Sequence, residues 1–215
     1  MPSLRAEMSK AAKYCSKECQ KADWKTHKTV CNNNADLAQA LQEHQDTPMG
    51  LMDRFLLPDG MSMYELDQRL EKWVKFHNAM LMWATIHALG IPTSLANARA
   101  MVLYIKLKPT NESFHRGSAA KGFKMEEAYA LPIAEAKKYK SPWPESLEQL
   151  ELMQSQSETR GQGRVCACMI ECPPLAVQTV PFGGLKNLGI PGSIPTWKAT
   201  LEEHFDQGKK MSITR

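Results

Sequence analysis

Apolar positions along this chain follow two different periods, and the change from one to the other separates helices from strands. From Ser62 to Leu89 they recur every three or four residues: Tyr64, Leu66, Leu70, Trp73, Val74 and His77, then Met80, Leu81, Ile86 and Leu89. That spacing is one face of a helix, or of two helices in sequence. Gly90 and Pro92 supply the stop. Shorter helices are expected over Ala35–His44, over Ser146–Ser157 after the interruption by Pro142 and Pro144, and over Thr196–Asp206. Strand formers such as Val102, Tyr104 and Ile105 mark Ala100–Lys108 as extended. Gly122–Ile133 reads the same way, and Arg164–Thr179 reads as a strand broken at Pro173-Pro174. Pro48–Gly60 reads as a loop with Leu56 and Leu57 buried, and Gly183, Gly184, Gly189 and Gly192 read as turns.

Helices come first and strands mixed with helices follow. The expected fold class is therefore α+β, with a small, mainly antiparallel sheet in a domain over residues 34–215. At 215 residues, with 43% hydrophobic and 23% charged positions, the chain has the composition of a globular protein of one or two domains. The longest apolar stretch, Ala79–Ile91, is too short for a bilayer span, which needs about 20 residues. Met1–Lys13 lacks the apolar centre of a secretory signal, so an intracellular location is expected, with nucleus and cytoplasm both open.

Charge changes the picture at the N-terminus. Residues 1–31 hold seven Lys/Arg against three Asp/Glu, a net +4, which is the net charge of the entire chain. A helix is expected over Ser16–Val30 with Ser16 as its cap, followed by a linker at Asn32-Asn33-Asn34. On that helix Cys19, Asp23, His27 and Cys31 share one side, and Lys17, Lys21, Lys25 and Lys28 form a stripe on the other.

The spacing Cys15-x3-Cys19-x7-His27-x3-Cys31 is the candidate chemistry. Thiolate and imidazole are the donors zinc prefers. Cys19 and His27, however, stand about 12 Å apart along a continuous helix. Two ligands of one tetrahedral zinc lie within about 4 Å of each other, so the four residues read as two half-sites. The second cysteine group, Cys166, Cys168 and Cys172, falls on one strand face with Ile170 and reads as buried thiols acting as small hydrophobes. His77 and His87 read as core or boundary histidines with hydrogen-bond partners, and Met61, Met63, Met80 and Met82 as core filling.

The run from Tyr14 to Cys31 resembles the second half of the MYND-type zinc finger. The resemblance implies a finger over residues 1–33. In it Cys15 and Cys19 complete one zinc site, and His27 and Cys31 complete a second. Met1–Lys13 contains no Cys or His, so two complete sites are not expected from these residues alone. It also implies a protein partner: Gln20 and Trp24, one helical turn apart, match the positions that line a groove for proline-rich peptides of Pro-x-Leu-x-Pro type. The stretch Trp73–Leu89 resembles the region beside the finger in fungal MYND-domain proteins and implies no activity.

Two rival classes remain beside the interaction module. One is an enzyme of fungal type with an appended finger. Against it, the Asn-His-Ser-Cys stretch of SET methyltransferases is absent, and so are G-x-S-x-G, P-loop and H-E-x-x-H patterns. The other is a basic nucleic-acid adaptor using the lysine stripe, which lacks an arginine to read base edges.

Overall fold

A computed structural model describes residues 36–186 and 192–211. The chain divides into two compact units, Met1–Glu65 and Leu66–Arg215.

In the first unit, helix α1 covers residues 36–44 and helix α2 covers Pro48–Leu56. The loop expected over Pro48–Gly60 is thus a helix followed by a single 3-10 turn at Pro58–Gly60. Its start is built locally. Thr47 is the N-cap, its hydroxyl accepting from the Gly50 amide at 3.0 Å and donating to the His44 carbonyl at 2.7 Å. Pro48 then sits where its missing N–H costs nothing. Gly50 is needed for close approach, because a Cβ there would stand 2.0 Å from the His44 carbonyl oxygen. Of the two leucines expected inside, Leu57 is buried, but Leu56 is 82% exposed because it lies on the outer face of α2.

Ser62 opens the long helix α3, Met63–Ala88, through a capping box. Its hydroxyl accepts from the Glu65 amide at 3.2 Å, and the Glu65 carboxylate accepts from the Ser62 amide at 2.7 Å. One continuous helix therefore runs through the periodic segment, and all the apolar positions read from it are buried except Tyr64, which is half-buried. Gly90, at φ +63°, ends it in a left-handed cap. The Ile91 amide reaches back to the Ile86 carbonyl at 3.0 Å, and Ile91 itself is buried.

The second unit is built on four strands: β1 Met101–Pro109, β2 Phe123–Pro132, β3 Arg164–Glu171 and β4 Gln178–Leu185. Their order is β2-β1-β3-β4. The outer pairs are antiparallel and the central pair β1–β3 is parallel, so the sheet is mixed. Val102–Leu107 and Val165–Ile170 are nearly continuous apolar runs, as central strands covered on both faces require.

Helix α4, Trp143–Thr159, covers one face. Trp143, Leu147 and Leu150 pack there with Val102, Tyr104, Val165, Ala167 and Met169. Its start precedes the expected Ser146 because Pro144 fits the first turn. Buried Gln154 ties it down by donating to the Ala98 and Val165 carbonyls at 2.9 and 3.1 Å. The opposite face carries Leu103, Ile105, Cys166, Cys168 and Ile170. It meets α3, whose Thr85 hydroxyl bonds the Cys168 thiol. Helix α5, Trp197–Gln207, joins α3 through Phe205, whose ring lies 4.6 Å from that of Trp73.

The expected broken strand Arg164–Thr179 is two strands folded against each other. Phe182-Gly183-Gly184, read as a turn, lies inside β4 instead. Register slips between Arg164 and Cys166, where β4 carries one extra residue and Gly184 takes φ +77°. This is a bulge on an edge strand, a place where glycine and Pro181 are both tolerated.

Candidate functional site

The residues read as zinc ligands, Cys15, Cys19, His27 and Cys31, lie outside the described residues, as do Gln20, Trp24 and the lysine stripe. Among the described residues no three His, Cys, Asp or Glu side chains gather into a metal site, and no helix is long and apolar enough to cross a membrane.

The first unit offers a surface that sequence reasoning missed. At about 100° per residue, Met49, Leu51, Met52, Phe55 and Leu56 occupy one arc of α2, while Gly50, Asp53 and Arg54 occupy the other. A helix with this pattern normally turns the apolar arc inward. Here it is turned out: Met49 is 66% exposed, Phe55 85% and Leu56 82%. The small and polar arc faces the chain. Gly50 meets the His44 backbone, and the Asp53 carboxylate sits 2.8 Å from His44 Nε2. A Thr-Pro start before Met-Gly-Leu-Met was the signal that could have revealed the helix. Nothing in the pattern showed which way it faces.

Among the described residues of the second unit, three thiols and His77 are held in unreactive states. Cys166, Cys168 and Cys172 are fully buried, and loss of hydration pushes the thiols of Cys166 and Cys172 up to about 12. Cys168 moves in the same direction. A thiol is nucleophilic only as thiolate, so these three pack as apolar groups, as expected. His77 is also buried, and desolvation lowers it to about 4 even though its Nε2 lies 2.9 Å from the Ala120 carbonyl. It is neutral at pH 7 and closed off by Trp73 and Phe205. His87 is buried too, its Nδ1 accepting from the Ile194 amide at 3.2 Å. Tyr104 donates to Glu171 at 2.6 Å, and burial first, then that carboxylate, raises its hydroxyl well above the usual tyrosine range. A groove of about 510 Å³ runs between α4 and β4, lined by Met153, Gln156, Arg160, Val165, Pro181 and Gly183 among others. Its lining contains no carboxylate, thiol or imidazole, so it presents no general acid, base or nucleophile of those types.

Comparison with known families bears on the N-terminal segment. Residues 7–31 match the model of the MYND finger. This stretch is similar to a MYND-type finger. The match includes all four residues read as ligands, together with Gln20 and Trp24, and ends at Cys31. MYND fingers generally bind zinc and mediate contacts between proteins. No curated protein and no solved structure matches the chain.

Proposed function

We propose that this chain is a protein-interaction module in which a zinc-stapled MYND finger takes a short proline-rich peptide. The observation that carries the reading is the finger match over residues 7–31. The donors in that segment suit the metal: Cys15 and Cys19 would supply two of the four ligands of one zinc, and His27 and Cys31 two of another, the remaining ligands coming from outside residues 1–31. Zinc there supplies folding energy, since a unit of this size has little apolar core of its own. Trp24 would stack on a peptide proline while Gln20 bonds the peptide backbone. Buried free cysteines in the second unit fit a reducing compartment, and the reading places the protein inside the cell.

Native mass spectrometry of the full chain tests the metal. Bound zinc should be lost, or cut to one equivalent, in Cys19→Ser. Titration with a Pro-x-Leu-x-Pro peptide tests the partner. Trp24→Ala should weaken binding by about tenfold or more, as loss of a buried aromatic anchor does. A chain that holds no zinc and binds no such peptide would sink the reading.

A further inference from the structure

The outward face of α2 is too apolar to be left to solvent without a reason. Five large side chains on nine residues make a patch of several hundred Å², at the upper end of what a monomer exposes. It falls short of the roughly 800 Å² per partner that a stable dimer buries, so a smaller occupant fits better than a second copy.

Charge indicates which occupant. Residues 36–65 carry Asp36, Glu43, Asp46, Asp53, Asp59 and Glu65 against Arg54 alone, a net −5. Residues 1–31, which hold the finger segment, are the +4 stretch. Asp36, Glu43 and Asp46 are exposed. Reach is sufficient as well. The N-terminal stretch outside the described residues ends at residue 35, directly before α1. Residues 32–35 extend about 14 Å when stretched, comparable to the ~13 Å length of α1, and α1 closes onto the start of α2 at Gly50. The segment can therefore return alongside α2.

We infer that α2 is the docking platform for this chain's own finger segment, residues 14–31, with Trp24 seated on Met49, Met52, Phe55 and Leu56 and the lysines facing the acids of α1. Resting on the peptide-binding reading, this adds a regulatory consequence: Trp24 is shared between the platform and the peptide, so the platform competes with the partner.

The test is hydrogen exchange on the full chain, comparing the native sequence with Met52→Ser/Phe55→Ser/Leu56→Ser, alongside the mass in solution. Exchange over residues 14–31 should rise about tenfold or more in the variant, and also in the native chain at high salt, with β1 and β3 unchanged and the mass monomeric. The variant should bind the peptide more tightly. Unchanged exchange over 14–31 overturns the inference. So does a dimer that the variant dissolves while 14–31 is unaffected, which would make a second copy the occupant. Protection of α2 only in the presence of anionic vesicles would overturn it in favour of lipid. If exchange rises but no chain binds peptide, the docking stands and the peptide-binding reading falls.

Discussion

Helices α2 and α4 both carry an apolar stripe, yet they use it in opposite ways. In α4 Trp143, Leu147 and Leu150 face the sheet and are buried, and Gln154, a polar group buried with them, satisfies two carbonyls there. In α2 the polar arc faces the chain, held by the His44–Asp53 contact and the Gly50 approach, and the apolar arc is exposed. The same amphipathic pattern builds a core in one unit and a surface in the other. A buried stripe contributes to stability; an exposed one costs solubility and is kept where it binds something.

Four measurements would sharpen or break that contrast. Trp73→Ala should have the largest effect, about 3–5 kcal/mol lost in urea unfolding, because its ring packs against His77, Phe123 and Phe205. Next is pH. His77 is held at about 4 in the fold against an ordinary value near 6.5, so the unfolded chain binds the proton first. Stability is full above about pH 6.5 and falls toward pH 4 by roughly 3 kcal/mol, with His204, lowered in the same direction, adding to the loss. Urea midpoints across that range should show the fall, and His77→Gln should flatten it.

Smaller effects belong to the first unit. Thr47→Ala removes the cap of α2 and should cost about 1 kcal/mol, read as faster amide exchange confined to residues 48–56. Phe55→Ser should leave the unfolding of the second unit within about 0.5 kcal/mol of the native chain, since its side chain is 85% exposed and lies in the first unit. A cost equal to that of Trp73→Ala would show that α2 is core after all and end the comparison.

Much of the second unit was legible because its signals are local. The three-and-four spacing from Leu66 to Leu89 holds along one helix, and Gly90 ends it for a reason intrinsic to glycine. β1 and β2 fall within a residue or so of their expected bounds. The glycines of β4 misled, because a bulge and a turn ask for the same backbone freedom, and only pairing with Cys166 tells them apart. In the first unit Pro48 and Gly60 suggested a loop, although Thr47 followed by Pro48 is also how a helix begins. The run Tyr14–Cys31, read from its local spacing, lies within the stretch 7–31 that matches the MYND finger, while Cys15, Cys19, His27 and Cys31 lie outside the described residues.

By itself, then, the sequence determined the period and extent of α3, the apolar runs of β1 and β3, and the likeness of residues 7–31 to a MYND finger, because each is written in residues near one another. Tertiary structure alone decided that β1 lies parallel to β3, that Cys168 faces Thr85, and that α2 turns its apolar arc outward. Strand pairing joins residues about sixty positions apart, and an amphipathic helix has two faces but no inherent direction. Both are settled by what each element packs against, which no local pattern records.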